Sequence, residues 1–244
     1  MTTPSPSPPL TAPDQVINTL RSQGYALLSP SSVATLIDRD LAELKTLQSS
    51  WNELALDKYL KDGGQYRRRR HSSFVVNGSE VTQVPHRAHW QPTEYNALHG
   101  GMKRLFEPMA SATVSQPIWS RLVATVGDIC SAIKGPQPWY VEAHQFRIDT
   151  AGGIGRPTPE GAHRDGVDFV AILFVGRVNV KGGETRVFEA DGPNGQRFTL
   201  TEPWTLLLLD DERVIHETTP IQPTDSAGHR DTLVLTYRAN GFQE

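Results

Sequence analysis

After residue 138 the chain stops reading as helix. The segments 140–149, 168–180, 185–189, 204–209 and 232–238 are apolar or alternating and rich in Val, Ile, Leu, Phe and Thr. Gly-, Pro- and Asp-rich stretches separate them, and Lys181-Gly182-Gly183 is a tight turn between two of them. A strand sends successive side chains to opposite faces, so each segment must bury at least one face in a sheet. Helical spacing is confined to the first half. Val33, Leu36, Ile37, Leu41, Leu44 and Leu47 predict one long helix, with Asp38, Asp40, Glu43 and Lys45 outside and Ser31 or Ser32 as its cap. Ile118, Leu122, Val123, Val126, Ile129 and Ile133 predict a second helix, opened by Pro117 and ended by Gly135-Pro136. A shorter helix begins at Asp14, and 24–28 and 73–76 read as strands. Asn77-Gly78 is a hairpin signal with 81–84 as the return strand. Helices first and strands last, with no repeat and no linker, predict a mainly β chain with flanking helices. The sheets would form a barrel or sandwich with the helices on one outer face.

The 244 residues suffice for one such barrel, and 14–244 is expected to be a single domain. Residues 1–13 are mostly Pro, Ser and Thr and are expected to be a disordered tail. That stretch lacks the basic start and apolar core of a secretory signal, and no apolar run reaches membrane-spanning length, so a cytoplasmic, membrane-free protein is expected. A net charge of −3 gives no electrostatic case for nucleic acid. The single cysteine, Cys130, excludes an intrachain disulfide and a cysteine-cluster metal site.

Chemistry concentrates where loops meet strands. His163 and Asp165 run directly into the apolar segment that begins at Phe169. In extended chain, side chains two apart share a side, so the pair could hold one metal ion. With 8 His and 14 Asp in the chain, chance alone supplies about half such a pair, so context must decide. His216 supplies it. It follows the buried run Leu206 to Leu209 and the acidic turn Asp210-Asp211-Glu212. Two imidazoles and one carboxylate leave positions open on iron(II) for a chelating co-substrate and oxygen, whereas a closed structural site would use four ligands.

Arg230 and Thr232 open the last strand with the same parity. A guanidinium there suits bidentate carboxylate binding, and the hydroxyl can donate beside it. The alternative is a surface arginine paired with Asp231 or Asp225. Gln145 and Arg147 share a strand face and could point into the barrel, Arg147 meeting a substrate carboxylate; the alternative is a solvated face. His144 faces the other way and reads as structural. The Arg67–Arg70 run reads as a solvated strand edge or loop, with one inward arginine over an anionic substrate as the alternative.

Taken together, these pieces resemble the iron(II)/2-oxoglutarate-dependent dioxygenases. The nearest likeness is to the bacterial group that hydroxylates L-isoleucine and other free amino acids. The resemblance is carried by Arg67–Arg70, 96–101, 144–148, 160–169, 181–185, 206–211 and 230–235. It implies a double-stranded β-helix, the jelly-roll or cupin-like barrel. It implies iron(II) on His163, Asp165 and His216, with the distal carboxylate of 2-oxoglutarate on Arg230 and Thr232. The implied reaction consumes O2 and 2-oxoglutarate, releases succinate and CO2, and hydroxylates an aliphatic C–H bond of a small free or N-modified L-amino acid; ascorbate would support it in vitro. Related halogenases lack the carboxylate ligand, so Asp165 favours hydroxylation. Two alternatives stand beside it: a metal-dependent cupin-like isomerase or lyase without 2-oxoglutarate, and a non-catalytic barrel that binds a small acid.

Overall fold

A computed structural model describes residues 9–96 and 98–244. The elements run α1 (Val16–Gln23), β1 (Tyr25–Leu28), α2 (Pro30–Ile37), α3 (Leu41–Lys45), β2 (Arg67–Asn77), β3 (Glu80–Gln83), α4 (Ser111–Val114) and α5 (Pro117–Lys134). They continue with β4 (Trp139–Asp149), β5 (Phe169–Val178), β6 (Val180–Gly182), β7 (Glu184–Glu189), β8 (Gly195–Thr199), β9 (Thr205–Asp210), β10 (Val214–Thr218), β11 (Ile221–Pro223) and β12 (His229–Arg238). Seven strands form one antiparallel sheet in the order β1-β9-β5-β12-β4-β2-β3. A smaller sheet, β10-β7-β8, and the ribbon β11-β6 complete the expected double-stranded β-helix, with helices flanking the large sheet.

Parity in the large sheet decides which side chains meet the helices and which meet the barrel interior. Phe74, Val76, Val141, Ala143, Leu233 and Leu235 join Leu122, Val123 and Val126 of α5 in the main core. Each fully buried side chain of this kind contributes about 1.5–3 kcal/mol, so the helix layer pins the register. The opposite parity lines the interior in rows. Ile148 lies between Arg67 and Arg230, Phe146 between Arg69 and Thr232, and His144 between His71 and Val234. Val170, Phe174, Val187, Phe198, Leu207 and Leu209 form a second apolar cluster on the inner side.

Several expectations change. The long helix predicted over 33–47 is broken. Asp38 is left-handed at φ 52 and ends α2, and Asp40 restarts the chain as α3 by accepting from Ala42 N–H at 2.7 Å. Short acidic side chains favour such caps over helix interiors. Ser29, rather than Ser31 or Ser32, caps α2 by accepting from Ser32 N–H at 3.1 Å. The Arg67–Arg70 run is no solvated edge. It lies within β2, with β4 on one side and the backbone of Ala55, Asp57 and Glu107 on the other. The Gly78 hairpin forms as expected, Asn77 facing Glu80. Of the expected disordered tail, residues 1–8 lie outside the described residues. Thr11 N–H already donates to Leu27 O at 2.7 Å, so the chain is ordered before residue 14. Among the described residues no helix is long and apolar enough to cross a membrane.

Candidate metal centre and its cavity

His163 and Asp165 sit in the loop between β4 and β5 rather than on a regular strand. Two devices bring them together. The His163 main chain pairs reciprocally with His216 on β10, each N–H donating to the other carbonyl at 3.0 Å. The buried Asp211 carboxylate accepts from the N–H groups of Asp165 at 3.0 Å, Gly166 at 2.8 Å and Val167 at 3.1 Å. The turn needs glycine at 166, where φ is +74 and a Cβ would fall 2.3 Å from the Tyr95 ring.

The three side chains converge. His163 Nε2 lies 3.9 Å from Asp165 Oδ1, and His216 Nε2 lies 3.7 Å from Asp165 Oδ2. These separations are too long for hydrogen bonds. Two atoms bound to one ion at about 2.1 Å each can be no more than about 4.2 Å apart, so the group fits a shared metal ion. His163 Nδ1 lies 2.9 Å from Gly161 O, which assigns the ring proton to Nδ1 and leaves the Nε2 lone pair facing the group. Burial works against protonation of His163, but Asp165 and Glu160 outweigh it and raise its pKa. Burial and then His163 push His216 well below the usual histidine range, so it is neutral and able to ligate. Asp211 is pushed up to about 7 by burial and then by Asp165, against the three N–H donors. A divalent cation on Asp165 would offset that second cause.

The group lines a cavity, open to solvent, that extends to Arg230, Thr232, Val234 and Thr236 on β12. The Arg230 side chain is buried, at 3% exposure, and packs beside Phe174. Burial and then Arg177 lower its pKa to about 10, and its Nε has no partner. Among the described residues no carboxylate forms an ion pair with it; Asp231, proposed above as its alternative partner, pairs with Arg147. A buried guanidinium without a counter-ion is costly, and an anionic ligand removes that cost.

The structure does not bring Gln145 and Arg147 into the cavity. Their parity is that of Val141 and Ala143, which the helix layer covers. Gln145 donates to Ser50 Oγ at 2.7 Å, and Arg147 grips Asp231 through Nε at 2.8 Å and Nη2 at 2.7 Å. The side chains of β4 that do face inward are Glu142, His144, Phe146 and Ile148. His144, expected to be structural, therefore lines the site.

His71, His89, Glu142 and His144 form a second group able to hold a metal by proximity. Its hydrogen bonding argues against one. Glu142 is engaged by His71 at 3.2 Å, His89 at 2.9 Å and Arg87 at 3.3 Å, and Arg69 Nη2 lies 2.8 Å from His144 Nδ1. A cation there would face two guanidinium groups. The cluster serves as a buried polar wall, with His89 lowered to about 4 by burial and Glu142 held low by the two histidines despite its burial.

The sequence does not single out Asp211, Glu160 or Arg104, and an inward arginine in the 67–70 run was only the alternative expectation, whereas both Arg67 and Arg69 line the cavity. The arginine pair had a signal: the run continues into Phe74 and Val76, whose core-facing parity sends 67 and 69 the other way. Asp211 comes two residues after a buried leucine run, which marks it as a candidate for burial. Nothing local marks Arg104, which reaches the cavity through a bridge between its backbone and that of His89.

A family model described as 2OG-Fe dioxygenase matches residues 48–236. No curated protein sequence matches the chain. Among solved structures, a bsmA homolog from Methylobium petroleophilum PM1 is 54% identical over 96% of both chains, with a TM-score of 0.92. IDO from Bacillus thuringiensis is 17% identical over 96% of this chain and 100% of that one, with a TM-score of 0.75. The Fe(II)/(alpha)ketoglutarate-dependent dioxygenase TqaL is 19% identical over 93% and 86%, with a TM-score of 0.71. At those identities the last two are likenesses of fold alone.

Proposed function

We propose that this chain, which belongs to the 2OG-Fe dioxygenase family, hydroxylates an aliphatic C–H bond of a small free or N-modified L-amino acid. Family membership carries iron(II), 2-oxoglutarate and O2 as its cofactors and co-substrates, and it leaves the isomerase, lyase and non-catalytic alternatives without support. In the proposed assignment His163, Asp165 and His216 hold the iron. Arg230 takes the distal carboxylate of 2-oxoglutarate, with the Thr232 hydroxyl donating beside it. Bound iron supplies the activation of O2 that couples loss of CO2 from 2-oxoglutarate to oxidation of a C–H bond.

The protein's part is placement. Asp211 and the His163–His216 backbone pair set the ligand side chains before any ion arrives. Arg230 stands two strands from Arg67 in one sheet row, so a second acid can lie beside the co-substrate in the same cavity. The observation that supports the reading most is this coexistence: the His/Asp/His group and an unpaired buried guanidinium share one cavity with further cationic lining. Ile148, Ile172 and Val234 supply apolar surface for an aliphatic side chain. Purified protein with iron(II), ascorbate and 2-oxoglutarate should form succinate faster when the right free amino acid is added. No stimulation by any member of a full amino-acid panel, with iron bound, would overturn the amino-acid reading.

A further inference from the structure

The cavity has a second charged end that the co-substrate anchor does not use. Arg67, Arg69 and Arg104 are 5%, 4% and 2% exposed. Asp57 is the one carboxylate among the described residues that pairs with them, 2.7 Å from Arg67 Nε and 3.9 Å from Arg69 Nη1. Arg69 is fixed between the Phe106 and Phe146 rings, 3.7 and 4.5 Å from their centroids, and against His144. Arg104 Nη2 donates to Gln91 Oε1 at 3.0 Å. Arg67 Nη2 and Arg104 Nε are buried without a partner. Three cations thus share one carboxylate. Glu142 is already saturated by histidines and Arg87.

A carboxylate with one unpartnered oxygen lines the same cavity. Glu160 Oε2 is buried without a partner, while Oε1 lies 3.7 Å from His163 Nε2. Glu160 and Arg104 are close enough to feel each other's charge. Buried polar groups left without partners in a cavity wall are where a ligand's own polar groups fit best.

We propose that Arg67 and Arg104 bind the carboxylate of the substrate and Glu160 binds its ammonium group. The assignment rests on the amino-acid reading above and sharpens it to a free, unmodified amine. An α-amino acid carries one anion and one cation on a single carbon, so a site that reads it needs unpaired donors and an unpaired acceptor in one cavity. Arg67 and Arg230 are two strand spacings apart, roughly 10 Å, which gives substrate and co-substrate carboxylates separate anchors. The chain Arg104 to Gln91 to Asp165, with Gln91 Nε2 donating to Asp165 Oδ1 at 3.2 Å, ties the carboxylate end to the metal group. With both charges held by the wall of the cavity that His163 also lines, the side chain is the part left free to present a C–H bond. An N-acyl group removes the cation and leaves Glu160 unpaired.

The test is equilibrium titration, without oxygen, into protein loaded with iron(II) and 2-oxoglutarate. The twenty protein amino acids are screened, and the tightest binder is compared with its des-amino, decarboxylated and N-acetyl analogues. Wild type should prefer the intact amino acid over each analogue by about tenfold or more. Glu160→Gln should lose the preference for the amino acid over the des-amino acid, and Arg104→Gln the preference over the decarboxylated amine. Iron stoichiometry and 2-oxoglutarate affinity should stay as in wild type. If no amino acid binds wild type, the amino-acid reading fails and takes the subsite with it. If one binds and Glu160→Gln binds it equally well with the same selectivity, only the subsite is wrong. Loss of iron from Glu160→Gln would instead make Glu160 a ligand and also overturn the assignment. Glu160 is a loop residue, so its variant remains informative should Arg104→Gln fail to fold.

Discussion

In an Asp211→Asn variant, one oxygen of the side chain becomes an NH2 group facing main-chain N–H donors. Wild-type Asp211 accepts three bonds, one on Oδ1 from Asp165 and two on Oδ2 from Gly166 and Val167. The better amide orientation keeps the two Oδ2 bonds as neutral ones and turns the third into an N–H to N–H contact. Bonds to a charged acceptor contribute about 1.5–3 kcal/mol and neutral ones about 0.5–1.5 kcal/mol. Weakening two and losing one therefore costs about 3 kcal/mol or more. The loss falls on the loop that presents His163 and Asp165, so it divides between fold stability and metal affinity. Outer partners of this kind typically change metal affinity 10- to 100-fold. Iron(II) titration and urea unfolding of the same preparations read both shares. An Asp211→Asn protein with wild-type iron affinity and a wild-type unfolding midpoint would refute the claim that this carboxylate sets the ligand loop.

Three further perturbations probe other parts. Arg230→Met should weaken 2-oxoglutarate binding by about 30- to 150-fold, equivalent to about 2–3 kcal/mol, while retaining iron; unchanged 2-oxoglutarate affinity would remove Arg230 as the anchor. Without ligand the same variant should be no less stable than wild type, since it loses an unpaired buried charge. Acid should destabilise the fold through the polar wall. His89 is lowered to about 4, and His71 and His144 are lowered too, all from 6.5 and all led by burial. The unfolded chain takes up protons near pH 6.5 that the folded chain refuses, so unfolding free energy falls as pH drops from about 6.5 towards 4. His89 alone contributes at most about 3 kcal/mol to that loss. Glu142, held below 4.5, adds its loss at still lower pH. A His89→Gln variant whose urea midpoint falls as much as that of wild type between pH 7.5 and pH 5 would contradict this. Arg147→Ala should leave the substrate KM within about twofold and cost about 1–2 kcal/mol of stability from the broken Asp231 pair, so a large KM effect would restore Arg147 to the site.

The barrel was legible because strand periodicity and turn chemistry are local, and the same holds for α5 between Pro117 and Gly135. The convergence of His163, Asp165 and His216 was legible for a different reason. Two of the three lie two residues apart and the third follows a buried strand and an acidic turn, so chemistry and position coincide in the sequence. Gln145 and Arg147 were misplaced because alternation alone says which residues share a face and not which face meets the helices. That choice is made by the main core, where Val141 and Ala143 are buried together with Leu122, Val123 and Val126 of α5. The break was visible in two acidic side chains, Asp38 that ends α2 and Asp40 that caps α3, but apolar spacing across them concealed it. Arg104 and Glu160 come together through long-range folding of irregular segments, which leaves no periodic mark.

Anaerobic iron(II) binding to wild type and to His216→Ala tests the metal assignment most directly. One equivalent per chain in wild type and none in His216→Ala is the expected result. Iron retained at wild-type affinity by His216→Ala would contradict the account, whichever other cluster held it.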